Sequence, residues 1–238
     1  YDEWKDTDVV KDLITFLDNV LQFFIDNAPD YISRARYSAT QERSLGLGAM
    51  GLHSLYQKNE MPFDSLRAKT LNEEIFKKIK EDAVEQTKVL GKEKGEAPDM
   101  KGTGKRNAHL LAIAPNANSS MITGCSPSIE PHKANAYTHR TRAGSHLIKN
   151  RYLREELIKL NMDTPEVWTS IITNGGSVQH LDFINDSIKE VFKTAIEIDQ
   201  RVIIEQGGDR QKYLCQGQSL NIFFPAGASK NYLHDVHM

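Results

Sequence analysis

The stretch His109-Leu110-Leu111-Ala112-Ile113-Ala114 is apolar, short and bounded by turn formers, so it reads as a buried strand. It runs directly into Pro115-Asn116-Ala117-Asn118-Ser119-Ser120 and then into Met121-Ile122, where a helix begins. A strand that feeds a tight polar turn and a helix start leaves backbone N–H groups unpaired and pointing one way. Such a start attracts anions, phosphates in particular. Asn118, Ser119 or Ser120 can cap the helix or donate side-chain hydrogen bonds to phosphate oxygens. By chemistry alone two readings stand, a plain N-cap and an anion site.

The rest of the chain interleaves helices with apolar runs. Val10, Leu13, Ile14, Leu17, Leu21 and Phe24 have helical spacing over residues 6–26, with Asp6, Thr7 or Asp8 as cap and Asn27-Ala28-Pro29 as the stop. A second helix is expected near Ser44, with Gly46, Gly48 and Gly51 along one side. Each helical glycine costs about 1 kcal/mol relative to alanine, so three imply close packing or backbone approach. A third helix is predicted from about Phe63 to Leu90, followed by a Gly/Lys/Pro-rich loop to Gly104. Asn135 to Arg142 has extended character. Short helices are predicted near 151–160 and 165–173, and a long one from Ile188 to Glu205 with Val191, Phe192, Ala195, Ile198 and Val202 as its buried stripe. Gln218 to Phe224 reads as a last buried strand. Strands interleaved with helices indicate an α/β fold.

Several function classes are disfavoured. Thirty basic residues against thirty-two acidic ones leave a net charge of −2, which gives no reason to expect nucleic-acid or membrane binding. No apolar run approaches the roughly 20 residues of a membrane span. Two cysteines in 238 residues argue against a disulfide framework and fit a reducing, cytoplasmic compartment. The eight histidines fall in no His-Glu-x-x-His or Cys-x-x-Cys setting, so no metal ligand is assigned. Gly46-x-Gly48-x-x-Gly51 matches a dinucleotide fingerprint by letter only, because no strand precedes it and no βαβ unit follows. Glu130 reads as a buried carboxylate behind the polar turn. Arg140 and Arg142 read either as a phosphate clamp or as a solvated face.

Four ordered blocks carry a family resemblance. They are Arg43-Ser44-Leu45-Gly46-Leu47-Gly48-Ala49-Met50-Gly51-Leu52, the run from Arg106 through Ser126-Pro127-Ser128-Ile129-Glu130-Pro131 to Asn135-Ala136-Tyr137-Thr138, Asn174-Gly175-Gly176-Ser177-Val178-Gln179, and Cys215-Gln216-Gly217-Gln218-Ser219-Leu220-Asn221. Together they resemble the large, catalytic subunit of ribonucleotide reductase. The resemblance implies a helix-rich α/β fold, the later part of a ten-stranded α/β barrel. It also implies that residues 1–238 are a C-terminal portion of the catalytic barrel domain, incomplete at both ends.

The implied activity is reduction of ribonucleoside diphosphates to 2′-deoxyribonucleotides by thiyl-radical chemistry, the supply step for DNA replication. Pro115, Asn116, Ala117, Asn118, Ser119 and Ser120 match the family's substrate-diphosphate loop. Asparagine at 116 and 118 departs from the family's usual serine or threonine. The radical-bearing cysteine loop and both redox-active cysteines belong upstream, as do the ATP-binding and allosteric sites, so no catalytic residue is assigned here. Cys125 and Cys215 match neither redox position. No cofactor is expected on this segment; the family implies a radical-generating metal cofactor in a separate small subunit. The implied partners are a ribonucleoside diphosphate, the remainder of the large subunit, that small subunit, and thioredoxin or glutaredoxin. Asn-Ala-Asn-Ser-Ser followed by Met-Ile is similar to the oxygen-dependent class I. The alternatives are a cobalamin-dependent class II reductase, a non-catalytic assembly piece of a split enzyme, and a glycyl-radical enzyme with a similar barrel. The chain alone is expected to form no deoxynucleotide from a ribonucleoside diphosphate, a dithiol and a competent small subunit. Turnover above background in that assay refutes this expectation.

Overall fold

A computed structural model describes residues 1–142 and 144–238. In chain order the elements are α1 (Val9–Asn27), α2 (Ser33–Glu42), α3 (Leu52–Lys58), α4 (Leu66–Lys94), α5 (Ala117–Thr123), β1 (Ala136–Thr141), β2 (Gly144–Lys149), α6 (Arg151–Lys159), α7 (Pro165–Thr173), α8 (Asp186–Val191), α9 (Gln200–Gln211) and α10 (Lys230–His237). The chain folds into two compact units. One comprises Tyr1–Gly48, Asn72–Ala114 and Gly208–Ser219, and the other Ala49–Leu71, Pro115–Gly207 and Leu220–Met238.

In the first unit three extended segments run parallel. The N–H of Leu45 donates to His109 C=O at 2.9 Å, and Ala112 N–H donates to Leu47 C=O at 3.0 Å. On its other side the middle segment gives Ile113 N–H to Gly217 C=O at 3.2 Å and takes Ser219 N–H at 2.9 Å. Parallel bridges join Leu47 to Leu111 and Ile113 to Gln218. Leu110, Leu111 and Ile113 are buried, as a parallel segment covered on both faces requires. The apolar run 109–114 is therefore the middle of a short parallel array.

This array corrects the helix expected near Ser44. Residues 45–48 are extended, and α3 begins only at Leu52. The glycines serve backbone approach: a Cβ on Gly48 would lie 2.5 Å from the Ala112 carbonyl oxygen. Gly51, at φ 85°, is the left-handed residue before α3.

Cys215 completes this array. Its Sγ accepts the N–H of Leu110 at 3.0 Å and of Leu111 at 3.1 Å. These donors would otherwise lack an acceptor. Cys215→Ala is expected to destabilise the protein by about 1–3 kcal/mol, the cost of unsatisfied buried donors. Cys215→Ser, which keeps an acceptor, should cost less and leave the chemical step of a complete large subunit unchanged. Urea melts and single-turnover rates check both; loss of the chemical step with folding intact would contradict this assignment.

α1 and α4 form much as their spacing predicts, with Val10 and Ile14 buried on α1 and Ile75, Ile79, Ala83 and Leu90 on α4. The α1 stripe also buries Asp18, whose carboxylate meets Arg43 Nε at 3.0 Å and Arg106 Nε at 2.8 Å.

In the second unit, α6 and α7 fall where expected, capped by Asn150 and Thr164. Leu153, Leu157, Trp168, Ile171, Val178 and Phe192 make a shared apolar core there. β1 and β2 form an antiparallel hairpin in which Tyr137 faces Ile148 and His139 faces His146. The long helix expected over 188–205 is two helices, α8 and α9, with a non-helical link at 192–199. Side chains capture the backbone there. Glu197 Oε2 accepts Thr194 N–H at 2.7 Å, and Gln200 Nε2 donates to Ala195 C=O at 2.8 Å. The stripe residues Val191, Phe192, Ala195 and Ile198 are buried all the same, while on α9 the buried apolar residue is Ile203 rather than Val202.

The strand expected over Gln218–Phe224 is a single bridge at Gln218, and residues 218–224 are partly or fully exposed. Farther along, N–H groups go to side chains instead of a ladder. Asn221 N–H donates to Glu130 Oε1 at 3.1 Å and Phe223 N–H to Gln200 Oε1 at 2.6 Å.

Candidate functional site

The polar turn becomes a helix start. Asn116 adopts φ 50°, ψ 28° and is the residue before α5, whose far end is closed by Gly124 at φ 68°. Asn116 makes no side-chain capping bond, and no acidic residue stands in the first turn of α5. Helix geometry gives the N–H groups of Ala117, Asn118 and Ser119 no intrahelical acceptor. Pro115, Ala117, Asn118 and Ser119 are exposed and Asn116 is half-buried, so this start is open to solvent. Ser120 differs from its neighbours. It is buried, its N–H donates to Asn116 C=O at 3.0 Å, and its hydroxyl donates to Ala117 C=O at 2.8 Å. An anion at the start of α5 would meet three main-chain donors.

The opposite end of α5 is anchored to α3. Gly51 N–H donates to Ser126 C=O at 2.9 Å and Ser54 N–H to Ser126 Oγ at 3.1 Å. Ser126 N–H returns a bond to Ser54 Oγ at 2.8 Å. Ser126 thus acts as the cap of a helix 72 positions away in the chain. No local pattern signals this; a serine after a cysteine looks like an ordinary loop residue.

Later parts of the ordered sequence blocks meet within the second unit. Glu130 is buried and accepts from the main-chain and side-chain nitrogens of Asn221, the latter at 2.6 Å. Asn135 N–H donates to Gly176 C=O at 3.0 Å. A Cβ on Gly176 would come within 2.2 Å of Ala134 Cβ, so a glycine is required there for space as well as for its φ of 85°. Arg140 and Arg142 are exposed on the hairpin, as the solvated reading has it.

Two histidines lie behind α5, His53 fully buried and His132 half-buried. The His53 and His132 rings are 5.4 Å apart, and His132 N–H donates to His53 Nδ1 at 2.8 Å. Burial, with the neighbouring His132, holds His53 well below the usual imidazole range, and burial brings His132 down to about 4. Both rings are neutral at physiological pH. A cavity of about 430 Å³ lies on this side of α5, lined by Ser120, Met121, Cys125, His132, Tyr137 and Ile148 among others. Burial raises the Tyr137 hydroxyl above its ordinary value. Among the described residues, no three of His, Cys, Asp or Glu come together as a metal-binding set. No helix among them is long and apolar enough to cross a membrane.

A family model, ribonucleotide reductase, barrel domain, matches residues 1–104 and 98–238. The chain belongs to the ribonucleotide reductase family. It is 56% identical over 240 residues to a putative ribonucleoside-diphosphate reductase large subunit of Frog virus 3, covering 100% of this chain and 42% of the relative. It is 46% identical to the ribonucleoside-diphosphate reductase large subunit of Invertebrate iridescent virus 6, covering 100% of this chain and 25% of that protein. Among solved structures it resembles the Actinobacillus ureae class Id ribonucleotide reductase alpha subunit with a TM-score of 0.93 and 42% identity, over 100% of this chain and 44% of that one. The fold is thus the helix-rich α/β fold of the reductase barrel, as the sequence words imply. The chain spans less than half the length of these relatives.

Proposed function

We propose that this chain works as part of a ribonucleoside-diphosphate reductase large subunit of class I, and that its own contribution is to hold the substrate diphosphate. The observation that carries this reading is the 56% identity, across the whole chain, to a viral protein named as such a large subunit. The start of α5 supplies suitable chemistry. The N–H groups of Ala117, Asn118 and Ser119 and the Ser119 hydroxyl bind phosphate oxygens, Asn116 sets the direction of the turn, and Pro115 restricts its approach. Ser120 adds support from beneath through its bond to Ala117 C=O. The thiyl radical and the reducing cysteine pair come from elsewhere in the large subunit. The radical-generating metal cofactor belongs to a separate small subunit, and thioredoxin or glutaredoxin restores the dithiol in the cytoplasm.

Ser119→Ala, in a complete large subunit, is expected to weaken substrate diphosphate binding by about 1–2 kcal/mol, the scale of one hydrogen bond to a charged group. Effector affinity should stay unchanged. Equilibrium binding of a ribonucleoside diphosphate and of an effector to both proteins checks this. Identical substrate affinity in the two would leave the chain with an assembly role only.

A further inference from the structure

We propose that Ser54 and His132 are positioning residues for the diphosphate loop: the Ser54 hydroxyl, directed by the His132 ring, fixes the segment after α5 and so the direction in which the first-turn N–H groups of α5 point. The inference rests on the reading of residues 115–120 given above.

α5 has only seven residues and is bounded by left-handed joints at Asn116 and Gly124. Its direction therefore depends on what holds its ends. The anchor after α5 is the reciprocal pair of Ser54 and Ser126, at 3.1 and 2.8 Å. Both serines are buried. Ser54 Oγ accepts the Ser126 N–H, so its single hydrogen is available for His132 Nε2, 3.1 Å away. An acceptor at Nε2 turns that hydrogen away from Ser126 and leaves an oxygen lone pair facing the Ser126 N–H.

The His132 main chain is held on both sides. Its backbone N–H donates to His53 Nδ1 at 2.8 Å, and its backbone C=O takes Ala195 N–H at 2.8 Å. An accepting Nδ1 places the His53 proton on Nε2, which points to Val191 C=O. Neutral throughout the physiological pH range, His132 keeps one unprotonated ring nitrogen; in the proposed arrangement that nitrogen is Nε2, which faces the Ser54 hydroxyl. A short path then runs from Ser126 through Cys125, whose N–H donates to Ser120 C=O at 3.0 Å, into the buried side of α5.

The test uses a complete large subunit assembled with its small subunit. Dissociation constants for a ribonucleoside diphosphate and for an effector, kcat, KM and melting curves are measured for Ser54→Ala, His132→Leu, His132→Gln and, as reference, Ser119→Ala. Ser54→Ala and His132→Leu are expected to weaken diphosphate binding about tenfold and raise KM, with kcat and effector affinity within about twofold. His132→Gln, whose amide oxygen replaces the Nε2 acceptor, should recover most of that loss. If Ser119→Ala weakens binding while Ser54→Ala, correctly folded, does not, the positioning role is overturned and the loop assignment survives. If neither weakens it, both are overturned. Equal losses in substrate and effector affinity would mark a general structural role and also overturn the proposal. Should Ser54→Ala fail to fold, the His132→Leu and His132→Gln pair gives the same comparison.

Discussion

Replacing Asp18 with asparagine is expected to destabilise the protein by about 3–5 kcal/mol, the usual cost of removing one partner from a buried ion pair. Asp18 is fully buried on α1. Its carboxylate receives Arg43 at 2.9–3.0 Å, Arg106 at 2.8 Å and Asn107 Nδ2 at 3.1 Å, with Lys94 Nζ at 3.6 Å. Arg43 and Arg106 are themselves buried, so the variant leaves two buried guanidinium groups without their shared countercharge. Burial by itself would raise the Asp18 carboxyl, but the bond from Arg106 and the charge of Arg43 outweigh it and hold it below the ordinary value. A depressed folded-state value means that this contribution is present above the unfolded carboxylate value of about 3.9 and disappears as pH falls below it. Urea melts from pH 7 down to pH 3 should therefore show a large deficit for Asp18→Asn at neutral pH that narrows in acid. A deficit under about 1 kcal/mol at neutral pH would show that the arginines find other partners.

Proline at the start of α5 is expected to remove substrate binding by about 2–4 kcal/mol, on the order of 30- to 1,000-fold. Asn116 sits at φ 50°, whereas proline is locked near −65°, so Asn116→Pro cannot keep the turn. Ala117 is the first helical residue, a position that ordinarily tolerates proline. Here Ala117→Pro both deletes a proposed phosphate donor and disfavours the left-handed conformation required of the residue before it. Asn116→Gly, which keeps access to positive φ, should stay within about 0.5 kcal/mol of the parent protein. Substrate and effector titrations of a complete large subunit separate these cases. Unchanged substrate affinity in a folded Ala117→Pro protein would mean that the start of α5 is a helix cap and nothing more.

Local pattern made much of this fold legible. The spacing of Val10, Ile14, Ile75, Ile79 and Ala83 defined α1 and α4, and the apolar run 109–114 marked the middle of the parallel array. The turn after Pro115 was legible as a helix start, because proline, asparagine and paired serines have strong local preferences for such joints. The glycines at 46, 48 and 51 read locally as one side of a helix, yet residues 45–48 are extended and Gly51 only leads into α3. A small residue serves close helix packing and close backbone approach equally well, and only the position of the Ala112 carbonyl distinguishes them. The helix predicted over 188–205 had a sound buried stripe but no local sign that Glu197 and Gln200 would take the backbone bonds between α8 and α9.

By itself the sequence determined the family, the helix-rich α/β class and the location of the polar turn. Each of these follows from residues close together in the chain, through periodicity, turn preference and ordered words. Tertiary structure alone decided how the turn is held. It set Ser126 as the cap of α3, joined Ser54, His53 and His132 in one hydrogen-bonded group, brought Asn221 to Glu130, and turned the Ser120 hydroxyl inward. The physical reason is that a helix end or a buried ring must find a hydrogen-bonding partner, and the partner is chosen by proximity in space. Residues separated by dozens of positions carry no periodic or compositional trace of that choice.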